Sequence, residues 1–211
     1  MKINEIYISI QGESTWAGLP CVFVRTTGCN LRCNYCDTTF AFFEGKEMTL
    51  PQIIRKVESY GINLVELTGG EPLLQQEAPQ LVKELCDKNF TVLVETSGSI
   101  DISPLDPRCI RVMDLKCPSS GEMESMHWDN IRHLRPRDEI KFVIGDERDF
   151  YWSLNVIRQH QLDQKCSILF ACVFGTLHPK LLAEWMLKEK VNARLQLQLH
   201  KYIWDPKQRK V

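Results

Sequence analysis

Cys29-Asn30-Leu31-Arg32-Cys33-Asn34-Tyr35-Cys36 puts three thiols within eight residues. Three thiolates on one short loop can take three corners of an iron–sulfur cubane, leaving one iron open to chelate a small molecule. A structural zinc site would instead need a fourth protein ligand, which only a distant residue such as Cys21 or Cys117 could supply. Thr68-Gly69-Gly70-Glu71-Pro72 is a second unusual run. Its glycines let backbone approach a ligand without a Cβ in the way, and its proline suits the first turn of a helix. Arg25, at the end of an apolar run, can pair bidentately with a carboxylate.

Seven runs rich in branched or aromatic residues read as strands: Cys21–Val24, Leu64–Leu67, Thr91–Val94, Ile110–Met113, Ile140–Ile144, Ser167–Phe170 and Leu195–Leu199. Between them, apolar residues recur at helical spacing over Thr49–Ser59, Ala78–Lys88, Asp149–His160 and Pro179–Lys190. Thr49 is placed to cap the first of these, and Pro51 fits its first turn. The alternation predicts an α/β fold, a partial (β/α) barrel of about six parallel strands with flanking helices, as one domain over residues 1–211. Ser97–Pro107 has no regular pattern. In parallel barrels chemistry gathers at the C-terminal strand ends. There the order puts the cysteine loop, Thr68–Pro72, Glu95–Gly98, Asp114–Gly121 and His200-Lys201.

The 211 residues are 44% hydrophobic, and 26 Lys and Arg against 27 Asp and Glu leave a formal charge of −1. Nothing in that balance favours nucleic acid or a membrane surface, so a small ligand is expected. The amino terminus has no apolar signal core, and no apolar run approaches the roughly 18 residues of a membrane helix, so a cytoplasmic protein is expected. In a reducing compartment, nine cysteines are better suited to metal than to disulfides. Cys86, Cys109 and Cys166 stand alone in apolar surroundings and read as small core residues. Lys207-Gln208-Arg209-Lys210 reads as a solvated tail.

The C-x3-C-x2-C spacing with Tyr35 before the last cysteine, together with Gly69-Gly70-Glu71-Pro72, resembles the radical S-adenosylmethionine superfamily. That resemblance implies a 4Fe-4S cluster on Cys29, Cys33 and Cys36 with S-adenosylmethionine on the open iron. Reduction would then release a 5′-deoxyadenosyl radical that takes a substrate hydrogen atom. Further segments extend the likeness over nearly the whole chain: Ile8–Ser14, Gly18-Leu19-Pro20, Phe23-Val24-Arg25, Cys36-Asp37-Thr38, Asp114–Ser119 and Gln198–Lys201. These resemble the 7-carboxy-7-deazaguanine synthase family. The family contracts 6-carboxy-5,6,7,8-tetrahydropterin to 7-carboxy-7-deazaguanine with loss of ammonia, in queuosine and deazapurine biosynthesis, and uses Mg2+.

By that resemblance, Ile10, Gln11, Gly12, Arg25 and Thr68 would bind the pterin. Tyr35, Cys36, Asp37, Gly70, Cys117, Pro118 and Ser119 would bind S-adenosylmethionine, and Thr38 the magnesium. Glu13, Glu71, Lys116 and His200 form a second rank of candidates. The resemblance also implies a flavodoxin-like electron donor and a homodimer. Ala171-Cys172-Val173-Phe174-Gly175 lacks the polar side chains expected to contact adenosine there. Two rivals share some features: a glycyl-radical-enzyme activase and a zinc-binding interaction module. The first lacks a use for Gln11-Gly12-Glu13 and Lys116-Cys117-Pro118, and the second predicts a colourless, air-stable protein.

Overall fold

The structure, a computed structural model, describes residues 1–211. Nine strands make one sheet: β1 (Lys2–Ile10), β2 (Pro20–Thr26), β3 (Lys46–Glu47), β4 (Leu64–Thr68), β5 (Thr91–Thr96), β6 (Ile110–Asp114), β7 (Glu139–Ile144), β8 (Ser167–Cys172) and β9 (Arg194–Gln196). Their order is β3-β1-β2-β4-β5-β6-β7-β8-β9, and the sheet stays open. From β2 through β9 every neighbouring pair is parallel, whereas β1 runs antiparallel to β2 and to β3. The partial barrel expected from the βα alternation is therefore present.

All seven expected strands form, but β9 is shorter than Leu195–Leu199. Leu199 N donates to Gly12 O at 3.0 Å, which pulls the chain away from β8 and into the short α5 (His200–Ile203). Two strands were not expected. β1 alternates in burial over its first six residues rather than in residue type, and pairs with β2 from Ile3↔Thr26 to Ile10↔Pro20, while the two-residue β3 has no sequence pattern to find.

Four longer helices follow their apolar stripes: α1 (Leu50–Glu58), α2 (Ala78–Asp87), α3 (Glu147–His160) and α4 (Pro179–Glu189). In α1 the Thr49 N–H donates to the Gln52 side chain at 2.8 Å, and Ile53, Ile54 and Val57 face the core. α3 starts two residues before the expected Asp149 because the Asp146 carboxylate accepts from Asp149 N at 2.9 Å, capping the earlier turn. No helix is long and apolar enough to cross a membrane.

Strand residues alternate between two environments. Val22, Val24, Val65, Leu67, Val92, Val94, Ile140 and Phe142 enter the main core with the helices. Their alternates face the other side of the sheet, where Tyr7, Cys21, Phe23, Leu64, Leu93 and Ile110 form a small apolar floor. Further along the strands that side becomes polar: Arg25, Glu66, Thr68, Glu95, Asp114 and Lys141 succeed the floor toward the C-terminal ends.

The opposite end is tied by charge. Asp138, before β7, accepts from Arg111 N at 3.0 Å, from Arg111 Nη1 at 3.2 Å and from Arg135 N at 2.9 Å. Arg111 and Asp138 are both fully buried, so losing one leaves the other charged and unpaired. Asp138→Ala is expected to cost about 3–5 kcal/mol. Urea unfolding would show this as a lowered midpoint, and an unchanged midpoint would contradict it.

The irregular stretch 97–107 does lack strands and helices. Its backbone is satisfied by buried Asn130, which donates to Gly98 O and Ile100 O at 3.0 and 2.8 Å and accepts from Ile102 N at 3.1 Å. The carboxyl-terminal basic run is not simply solvated. Arg209 lies 3.8 Å over the Phe40 ring and pairs with Glu44 at 3.0 Å and Glu5 at 3.5 Å, because two carboxylates and an aromatic face lie within its reach.

Candidate active site

The cysteine loop leaves β2 at Thr26 and reaches a short 3-10 turn, Thr39–Phe42. Cys29, Cys33 and Cys36 are free and half-buried. Two neighbouring loops clamp them. Asn34 donates from its backbone to Ser120 O at 2.9 Å and from its side chain to Ser119 O at 3.0 Å. Gly28 O accepts from Glu71 N at 2.9 Å. Burial raises the Cys29 thiol and pushes Cys33 up to about 11. No three His, Cys, Asp or Glu side chains converge on a point that one ion could occupy. A cubane needs no such convergence, because each thiolate takes a separate iron. The donor set, three soft sulfurs on one clamped loop, fits that group.

The glycine run is built for close approach. A Cβ on Gly70 would lie 2.3 Å from Gly28 O and 2.6 Å from Cys29 Cβ, and Gly69 adopts φ +154° against Thr26. Glu71 is fully buried and accepts from Thr96 Oγ1 at 2.9 Å, Ser97 N at 2.7 Å, Ser97 Oγ at 2.6 Å and Leu73 N at 3.0 Å. With both oxygens satisfied by the chain, Glu71 ties β4 to β5 and has no bond to spare for a ligand.

Beside these loops lies a buried polar layer. Lys141 on β7 pairs with Glu13 at 2.9 Å, with Glu95, and more loosely with Asp114 at 3.9 Å. Asp114 also pairs with Lys116 at 2.7 Å, and its Oδ1 is buried without a hydrogen-bond partner. Glu13 accepts from Gln198 at 2.9 Å and Gln196 at 3.2 Å, and Thr68 Oγ1 donates to Glu95 at 3.0 Å. Burial, reinforced by the Glu95 charge, raises Glu66 well above the usual carboxylate range, although Gln11 donates to it. Burial also acts to raise Glu95, but Lys141 overrides it and holds that carboxyl low.

The expected site residues fall into three groups. Gln11, Glu13, Thr68, Lys116 and His200 converge on the polar layer, and His200 packs on Gly12, where a Cβ would lie 2.3 Å from Nδ1. Ile10 ends β1 immediately before them. Arg25 stands at the layer's edge, its Nε 3.0 Å from Glu5 and its Nη2 3.1 Å from Tyr7.

A second group surrounds the cysteines. Tyr35 donates to Val143 O at 3.3 Å, which fixes its ring against β7. Thr38 donates to Asp37 at 2.8 Å. Burial acts to raise Asp37, but Lys201 at 2.6 Å and the Thr38 hydroxyl hold it down at about 2.

A third group turns away. The Cys117 sulfur is buried in the main core, 3.5 Å from Ser153 Oγ, and the Ser119 hydroxyl donates to Asp149. Pro118 follows Cys117 into a 3-10 turn. A ligand here would meet backbone rather than those two side chains. Near Ala171–Gly175 a cavity of about 330 Å³ opens between the β8 end and α5, lined by Cys172, Phe174, Leu177, Gln196, Gln198 and Tyr202. A larger hollow of about 400 Å³ lies at the other end of the strands, around Lys165 and Arg194, away from every motif.

Glu5, Glu66, Lys141 and Gln196 were not among the sequence candidates, and Glu95 was placed at a strand end without a role. Glu66, Glu95 and Lys141 each carry one mark: a charged residue amid an apolar strand run, in Leu64–Thr68, Thr91–Thr96 and Glu139–Ile144. Such a residue is rarely buried without partners.

Comparison with known proteins is consistent with this layout. The radical SAM superfamily matches residues 23–113. The 7-carboxy-7-deazaguanine synthase of Chlorobaculum tepidum is 46% identical, covering 100% of this chain and 97% of the relative. The chain belongs to the 7-carboxy-7-deazaguanine synthase family. The Koribacter versatilis member is 42% identical over 98% of each chain. In fold, the chain is similar to the crystal structure of QueE from Escherichia coli, with a TM-score of 0.77 at 20% identity, covering 92% of this chain and 93% of that one. Membership of the radical SAM superfamily implies a 4Fe-4S cluster and S-adenosylmethionine.

Proposed function

We propose that this chain converts 6-carboxy-5,6,7,8-tetrahydropterin to 7-carboxy-7-deazaguanine with loss of ammonia. The observation that carries this reading is the full-length likeness to the named synthases. The buried polar layer beside the cysteine loop adds support, being suited to a small polar heterocycle. Cys29, Cys33 and Cys36 would hold the cluster. When bound, cluster and S-adenosylmethionine supply a one-electron reductive cleavage that yields a hydrogen-abstracting radical.

The chain's part is to bind, orient and exclude water. Arg25, already oriented by Glu5 and Tyr7, would take the pterin carboxylate. The segment Ile10–Gly12 and Thr68 would border the ring. Tyr35, Cys36, Asp37, Gly70 and the backbone of Cys117, Pro118 and Ser119 would border S-adenosylmethionine. Thr38 is the proposed protein ligand to Mg2+. As a neutral hydroxyl it would need substrate oxygens and water to complete the shell. A flavodoxin-like electron donor, a homodimer and a cytoplasmic location belong to the same reading.

The test is anaerobic reconstitution with iron and sulfide, then dithionite, S-adenosylmethionine and the carboxypterin. Appearance of the deazaguanine, increased by Mg2+, supports the reading. Deoxyadenosine without deazaguanine would leave a radical enzyme with a different substrate. Arg25→Ala is expected to keep the cluster and weaken carboxypterin binding by about tenfold or more, the cost of losing a charged hydrogen-bond pair. Equal affinity by calorimetry would remove Arg25 from the site.

A further inference from the structure

Lys141 is the only cation that touches carboxylates from three separate elements: Glu13 in the β1–β2 loop, Glu95 on β5 and Asp114 on β6. Its side chain is 6% exposed, so its charge is stabilised by those partners rather than by water. Glu13 and Glu95 keep more exposure, 19% and 28%, and their carboxylates, with three and two hydrogen bonds, retain lone pairs for further donors. The Gln196 and Gln198 amides hold Glu13 from the other side, and Thr68 holds Glu95. Two oriented carboxylates beside a hydroxyl make an acceptor-rich surface. Its complement is a planar ligand with several N–H donors on one edge, as an aminopyrimidinone ring has.

We propose that Lys141 is a positioning residue for substrate specificity: by clamping Glu13 and Glu95 it builds the acceptor surface that selects the N–H edge of the pterin. This rests on the carboxypterin reading above. The charged and titratable groups facing the clamp are Glu13, Asp37, Glu66, Glu95, Asp114, Lys116, Glu139 and His200. Lys116 alone remains as a cation close to Asp114 when Lys141 is removed. With the clamp present, Glu95 stays ionised throughout the neutral range. Without it, burial and the neighbouring acids raise the Glu95 pKa. Acceptor capacity would then be lost as pH falls through that raised value.

The test compares carboxypterin affinity of cluster-loaded wild type, Lys141→Met and Lys141→Arg across pH 6 to about 8.5, a window that brackets a raised carboxyl pKa. Iron content and thermal midpoint are read alongside. Wild type is expected to bind with little pH dependence. Lys141→Met should bind at least about tenfold more weakly, and more weakly still at the acid end, at unchanged iron content. Lys141→Arg, which keeps the charge, should stay within about threefold of wild type and remain pH-flat. It carries the test alone if the methionine variant does not fold, and a pH-dependent loss of affinity in it would overturn the proposal. Equal affinity of Lys141→Met and wild type at all pH values would also overturn it. So would a loss of affinity matched by a parallel loss of iron, which marks a merely structural lysine. Wild type that fails to bind the carboxypterin would refute the substrate reading and this proposal with it, and the wild-type arm alone reveals that case.

Discussion

Cys33→Ala protein is expected to come out of anaerobic reconstitution without the cluster's visible absorption and to form no deoxyadenosine above the level seen without enzyme. Cys33 is the middle thiol of the loop, and Asn34 beside it carries the two hydrogen bonds that clamp the loop to Ser119 and Ser120. Removing the sulfur leaves two thiols, while the clamp and therefore the fold remain. A cubane held by two protein ligands exposes two irons and is not retained. The control is the thermal midpoint before reconstitution, which should match wild type. A variant with full iron content and full deoxyadenosine yield would remove Cys33 from the cluster and with it the three-thiol assignment.

The second large effect is expected at a residue with no side chain to react. In Gly70→Val the new Cβ would sit 2.3 Å from Gly28 O and 2.6 Å from Cys29 Cβ, both parts of the cysteine loop's own stem. Neither can rotate aside, because Gly28 N donates to Ala41 O and Gly28 O accepts from Glu71 N. The backbone itself must move, at about 1–3 kcal/mol for overpacking, and Cys29 moves with it. The expected outcome is a lower thermal midpoint together with iron content well below wild type after equal reconstitution. Normal iron content with an unchanged midpoint would show that the two loops separate without consequence, and that the glycine serves only its turn.

Much of the scaffold was legible because it is local. The stripes of Ile53, Ile54 and Val57 in α1 and of Leu81, Val82 and Leu85 in α2 are periodic within a few turns. The apolar runs of β4, β5, β7 and β8 likewise announce buried parallel strands. The edges were less legible. β3 is two residues long and exists only because β1 offers it a partner, and β9 ends early because Gly12 captures Leu199.

The site divided along the same line. Cys29, Cys33, Cys36 and the glycine run stood out in the sequence by their spacing, since one short loop carries all three sulfurs. Lys141 did not, and Glu13 entered only through the family resemblance, because Glu13, Glu95 and Asp114 are scattered over a hundred residues and only the sheet's register and the β1–β2 loop bring them to one lysine. Conversely, Cys117 and Ser119 were marked as ligand contacts from their motif, yet their side chains serve Ser153 and Asp149.

By itself, then, the chain's order of residues determined which elements form and which loop carries the sulfurs, because propensity, periodicity and ligand spacing act over a few residues. Tertiary structure alone decided which charges meet, that Glu71 is spent on Thr96 and Ser97, and that Arg209 folds back onto Phe40. A buried charge is set by whatever lies across the fold from it, and low-dielectric surroundings make that partnership strong enough to matter.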